Sequence, residues 1–196
     1  MSDPEMPKPF SLEEQLEVLE GCGIRLCPGV KVEHLLAESS RESYFHQPFV
    51  HLLIVMGSAP EDASFDRFSN NIWHFDSECI YDSQSYELIA ERFRDLAEGD
   101  LPITDINSHV DFDEEAAWLS FRMDGKAFKW AAEVDSDWVD TTVLSSFAQL
   151  LEKRATGKIY THYDLGGQDC LIACSTPTQL GRLMTEALLY RFDALR

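Results

Sequence analysis

Positive charge is scarce in this chain. Its 196 residues carry 16 Lys and Arg against 35 Asp and Glu, a formal net charge of −19 with neutral histidines. A field of that sign repels phosphate backbones and anionic headgroups, so nucleic acid and a membrane surface are excluded as first expectations and a cationic partner is favoured. Long apolar runs are also missing. The longest, residues 49–56, is interrupted by His51 and falls far short of the ~20 residues that a spanning helix needs. The first ten residues hold three prolines, two acids and no apolar stretch. No secretory signal is expected, the protein is read as cytoplasmic, and residues 1–10 are expected to be mobile.

The usual marks of chemistry are absent too. Five cysteines (Cys22, Cys27, Cys79, Cys170, Cys174) are an odd number in a chain long enough to do without disulfides, and they read as free thiols in a reducing compartment. No His-Glu-x-x-His and no pair of Cys-x-x-Cys motifs occurs. Cys22, Cys27 and His34 come nearest to a zinc set, but their spacing is not that of a zinc motif. No metal and no cofactor is expected. Gly57-Ser58-Ala59 is the nearest approach to a serine nucleophile turn, yet Pro60 follows instead of a helix, and it reads as a strand-ending turn. Gly166-Gly167 lacks the lysine of a phosphate loop and the spacing of a dinucleotide loop. Asp111-Phe-Asp113-Glu-Glu115 has no glycine at the sixth position of a calcium loop and no glutamate at the twelfth. No catalytic residues are assigned.

What is present is enough apolar material for a core: 44% hydrophobic against 26% charged residues. Ser11-Leu-Glu-Glu14 is a capping box opening a helix with Leu12, Leu16, Val18 and Leu19 inward. A short strand over 24–27, a helix over 32–37 and an irregular polar stretch over 39–48 follow. Residues 49–56 read as a strand and 72–75 as another. Tyr86, Ile89, Phe93 and Leu96 mark one face of a helix over 85–97. Strands over 103–112, 117–123 and 126–134 form a meander, with Asp124-Gly125 as the hairpin turn. Asp140 caps a helix carrying Val143, Leu144, Phe147, Leu150 and Leu151, with Trp138 expected at the sheet–helix junction. Strands over 158–163 and 170–174 are joined by a glycine turn. Thr176-Pro-Thr-Gln179 caps a last helix with Leu180, Leu183, Met184, Ala187 and Leu188 inward. The expectation is an α+β fold, an antiparallel or mixed sheet with helices packed on one side. It forms a single domain over 11–196, with a possible seam near 100–103.

Charge is unevenly spread. Residues 111–140 hold nine acids and three bases, about a third of the net charge, with Trp118, Trp130 and Trp138 interleaved. The loops carrying Asp111, Asp113, Glu114, Glu115, Asp135, Asp137, Asp164 and Asp169 are the candidate surface for a basic protein.

Met123-Asp-Gly-Lys126, Trp130, Asp137-Trp-Val-Asp140, the helix to Lys153, Tyr160, Gly167-Gln-Asp169 and the helix after Thr178-Gln-Leu180 together resemble small bacterial immunity proteins of polymorphic or contact-delivered toxin systems. The resemblance spans about residues 117–190; residues 1–110 match no family. It implies a non-enzymatic protein that neutralises a cognate cationic toxin, such as a nuclease, by binding it. The alternatives are a regulatory or scaffold protein using the same acidic surface, and a hydrolase of unrecognised class.

Overall fold

Most elements begin at local signals that the backbone obeys. The computed structural model describes residues 10–61, 64–187 and 189–196. The expected mobility of residues 1–9 and the inward placing of Leu188 lie outside them. Phe10 itself is packed, its ring centroid 5.0 Å from that of Phe49.

Seven helices and seven strands occur among the described residues. The chain opens with α1 (Leu12–Gly21), where Ser11 Oγ accepts from the Glu14 amide and Glu14 returns a bond to the Ser11 amide. Three short helices follow: α2 (Val32–Glu38), α3 (Arg41–His46) and α4 (Val50–Gly57). Then come β1 (Ile72–Asp76), α5 (Ser85–Leu96), β2 (Ile103–Asp111), β3 (Ala116–Met123), β4 (Lys126–Ala132) and α6 (Thr141–Lys153). The chain ends with β5 (Ile159–Gly166), β6 (Asp169–Ser175), α7 (Pro177–Thr185) and β7 (Phe192–Ala194). Asp124 and Gly125 both have positive φ, as a two-residue hairpin turn of matching twist requires.

The α+β class is as expected, with its strands divided between two antiparallel sheets. One has the order β1-β6-β5-β7 and the other β2-β3-β4. Cross-strand register sorts the larger sheet into two faces. Trp73, Phe75, Tyr160, His162, Cys170 and Ile172 share one; Ile72, His74, Thr161, Tyr163, Leu171 and Ala173 share the other. Both faces are covered. Phe75, Tyr160 and Ile172 belong to a core with α5, α6 and the inner face of the smaller sheet. Ile72, Leu171, Ala173 and Phe192 belong to a second core with residues of α1 to α4 and α7. Leu101 and Ile103, at the expected seam, are buried in the first core.

Three expectations fail in the N-terminal part. Residues 49–56 are not a strand: α4 occupies 50–57 and buries Leu52, Leu53 and Met56. A continuous apolar run does not distinguish a buried strand from a buried helix, and here helices and the sheet surround it. Residues 41–46 are helical, capped by Ser40 Oγ on the Ser43 amide. Residues 24–27 form no strand; the Cys27 amide donates to the Phe68 carbonyl across a loop (2.7 Å).

Gly57 ends α4 where the helix meets β1. A Cβ there would lie 2.9 Å from the Trp73 carbonyl carbon and closer still to the His74 amide nitrogen, so only glycine permits this approach. The helix enters through Phe49, at φ 65° and ψ −51°, with the Val50 amide bonded to the Pro48 carbonyl (2.9 Å). This is a γ-turn of positive φ, a conformation costing on the order of 1–3 kcal/mol in a non-glycine residue. The buried amide of Gln15 holds it. Its Oε1 accepts from the Phe49 amide (2.7 Å) while Nε2 donates to the carbonyls of Phe10 and Tyr44.

Candidate acidic binding surface

The hairpin between β5 and β6 turns on Gly166 and Gly167, both at positive φ, and Asp164 Oδ1 accepts from the Gly166 amide (2.7 Å). Register pairs Asp76 with Asp169, so the end of β1 lies beside this turn. The next residues act as a bracket. Ser77 donates its amide and its hydroxyl to the Gln168 carbonyl, and its own carbonyl accepts from Val139 (2.8 Å). The Ile80 amide donates to the Asp137 carbonyl (2.9 Å). Residues 77–80 thus join the 135–137 loop to the 164–169 hairpin at one end of the larger sheet.

Of the eight candidate acids, the structure brings Asp135, Asp137, Asp164 and Asp169 to this end and adds Asp76 and Glu78. Proximity shows in the half-buried Cys79 thiol, pushed up to about 12 by desolvation and then by the charges of Asp76 and Asp137. Asp111, Asp113, Glu114 and Glu115 form a separate patch. The Asp111 side chain accepts from the amides of Asp113 and Glu114 (both 3.0 Å), an Asx-type turn. The pairing of Ala117 with Ala132 places this turn at the same end of the smaller sheet as residues 133–135. No hydrogen bond or ion pair joins it to the 135–137 loop among the described residues.

Few cations answer these acids. Arg191 Nη2 is 3.5 Å from Asp164, and His74 Nε2 is 3.7 Å from Asp169. Asp113, Glu114, Glu115, Asp135 and Asp137 have no ion pair among the described residues. Two bases of the acidic segment lie instead on the outer face of the smaller sheet, where Lys129 Nζ sits 4.0 Å from the Trp118 ring centroid and Arg122 lies 3.8 Å from Asp105.

Trp138 is not at the sheet–helix junction. It is 41% exposed, bridged by its backbone to Glu78 and Asp135. Tyr81 is 68% exposed and donates its hydroxyl to the Glu78 carbonyl, while Phe112, 43% exposed, stands on the outer acidic turn. The sequence reading missed Asp76, Glu78 and Tyr81; the signal available was the acidic, serine-rich stretch after the aromatic strand β1. Asp140, by contrast, caps as expected, accepting from the Thr142 amide (2.8 Å). It also accepts from the Glu133 amide (2.9 Å) and donates its own amide to Tyr86 Oη.

One constellation bears on hydrolysis. Ser58 Oγ lies 3.1 Å from His74 Nδ1, whose Nε2 faces Asp169 at 3.7 Å. Ser58 Oγ, however, bonds the Ile54 carbonyl (2.8 Å), and its amide is committed to the carbonyls of Ile54 and Val55. The hydroxyl is occupied as a helix-end bond and this amide is not free to stabilise an oxyanion. The adjoining cavity of about 230 Å³ is lined by Arg67 and Arg92 as well as Asp66 and Glu91, and Arg67 pairs with Asp95.

No group of three or more His, Cys, Asp or Glu side chains is placed to hold a metal ion among the described residues, and no described helix is long and apolar enough to cross a membrane. Comparison with protein-family models, with curated proteins and with solved structures gives no match.

Proposed function

We propose that this chain is a cytoplasmic immunity protein that neutralises a cognate bacterial toxin, a basic enzyme such as a nuclease, by docking its acidic end onto it. The observation that carries this reading is the cluster at the sheet end. Carboxylates from three separate loops, most without a counter-ion, meet at this end, where Asp76, Glu78 and Asp137 act on the exposed Tyr81 and Trp138 is bridged to Glu78 and Asp135. Desolvated aromatics are the usual anchors of tight interfaces, and surrounding like charges steer an oppositely charged partner at up to about 10⁸–10⁹ M⁻¹s⁻¹ at low salt. The resemblance over residues 117–190 supports the same reading.

Growth rescue tests it: co-expression with a toxin domain encoded beside the gene should restore growth, and the Trp138→Ala variant should protect less well. A toxin that kills equally with and without the protein overturns the pairing. The Ser58–His74–Asp169 contacts favour hydrolysis as a second reading. Turnover of p-nitrophenyl acetate that disappears in Ser58→Ala would establish it in place of the first.

A further inference from the structure

Between the larger sheet and the start of α6 lies a cavity of about 370 Å³ that reaches the acidic end. Its inner wall is largely apolar, made by Phe75 and Ile172 from the sheet with Leu144 and Leu195 beside them and His162 next to Ile172. Asp164, exposed and on the same sheet face, stands at its edge. That carboxylate is fixed by the Gly166 amide through Oδ1, while Oδ2 meets only the 3.5 Å contact with Arg191. Arg196 also lines the rim, and it makes no ion pair among the described residues.

The cavity combines properties that no small ion and no purely apolar group would satisfy together. A free cation would lose hydration against phenylalanine and leucine without full return. An alkyl group alone would leave the carboxylate at the edge unused. A long side chain with an apolar stem and a cationic head satisfies both parts. The carboxylates are felt at the wall: the Cys170 thiol is pushed up to about 12, by burial first and then by the charges of Asp164 and Asp169.

We propose that this cavity receives a lysine or arginine side chain of the partner protein, its stem against Phe75, Leu144 and Ile172 and its charged head at Asp164. The proposal rests on the reading of the acidic end as a docking surface for a cationic protein. It turns a diffuse electrostatic attraction into a single anchor.

The test uses n-butylguanidinium as the side-chain mimic, with n-butanol and butyrate as controls, followed through the methyl resonances of Leu144, Ile172 and Leu195 in the full chain. Butylguanidinium should shift these methyls saturably at millimolar concentration, butanol about fivefold more weakly, and butyrate not at all. Asp164→Asn keeps an acceptor for the Gly166 amide and should weaken guanidinium binding to about the level of butanol. Ser145→Trp, which fills the cavity, should abolish the shifts; if it fails to fold, Asp164→Asn alone decides. Equal responses to all three probes, or an unchanged response in Asp164→Asn, overturn the proposal. No toxin is needed. Selective guanidinium binding supports the cavity even if growth rescue fails, and an unselective response overturns it even if rescue succeeds.

Discussion

The two cores that flank the larger sheet are held by different means. The first is an aromatic stack on regular elements: Phe93 and Phe147 lie 4.8 Å apart in parallel, Tyr160 stands edge-on to Phe93 at 4.8 Å, and Trp130 stands edge-on to Phe147 at 4.9 Å. Its two buried tyrosine hydroxyls are both satisfied: Tyr160 Oη donates to the Phe93 carbonyl (2.6 Å) and Tyr86 Oη accepts from the Asp140 amide (3.0 Å). The second core is closed by α1 to α4 and α7, and its critical joint is a strained turn at Phe49 held by a buried glutamine amide. One core therefore depends on area and shape, the other on a few hydrogen bonds that must all be made. The acidic surface belongs to the first side, on loops leaving the regular elements.

Phe147→Ala should produce the largest effect. The ring is fully buried at the centre of the stack, and truncating such an aromatic typically costs about 3–5 kcal/mol. Urea unfolding measures it; a loss below about 1 kcal/mol would show that the stack is not what holds the first core. Gln15→Leu tests the second. It keeps the apolar contact but strands the Phe49 amide and the Tyr44 carbonyl away from water, a penalty of about 1–3 kcal/mol for a buried group left unsatisfied. If Gln15→Leu is neutral, the second core is held by area like the first and the contrast disappears.

Legibility in the sequence divides along the same line. The hairpin at Asp124-Gly125, the caps at Ser11, Asp140 and Thr176 and the amphipathic faces of α5 and α6 are local signals, and each appears where its residues stand. The helical state of residues 50–57 was not legible, because it depends on what surrounds the run. Nor was the role of Gln15, whose partners lie as many as 34 positions away. For the binding surface, the acids could be found by counting charges. Their grouping could not: the bracket formed by residues 77–80 lies more than 50 positions from each of the loops it joins, and the 111–115 turn stands apart from it. Trp138 reads as apolar and therefore buried, yet the tight 135–138 turn holds its ring in solvent.

The Asp140 cap should have an intermediate effect, and it carries a pH signature. Burial raises its carboxyl, but hydrogen bonds from the Glu133 and Thr142 amides outweigh burial, and its value lies below the ordinary 3.8. A carboxylate lowered by folding stabilises fully above its unfolded value, and that contribution fades as pH falls through the folded one. Asp140→Ala should therefore cost about 0.5–2 kcal/mol at pH 7, with the deficit shrinking below about pH 4. A melting temperature equal to that of the native protein at pH 7 would remove the cap from the first side's supports. A deficit that grows toward low pH would reverse the assigned direction.

The smallest effect on stability is expected where the effect on binding should be clear. Asp113→Lys, Glu114→Lys and Glu115→Lys together reverse the outer turn, whose three side chains are exposed and have no ion pair among the described residues. Exposed substitutions usually change stability by no more than about 0.5 kcal/mol; Glu115 stands at φ 50°, where lysine replaces one Cβ-bearing residue with another. The variant gives up no attractive pair and reduces like-charge repulsion in a chain of net charge −19, so its urea midpoint should match or slightly exceed the native one. Against the toxin identified by growth rescue, its association rate should fall and its salt dependence flatten, while dissociation changes little, because peripheral charges act mainly on encounter. Truncating Asp137 or Trp138 at the central patch should instead accelerate dissociation. If the triple variant associates at the native rate with the native salt slope, the outer turn is not part of the surface, and the binding site contracts to the patch built by residues 76–81, 135–138 and 164–169.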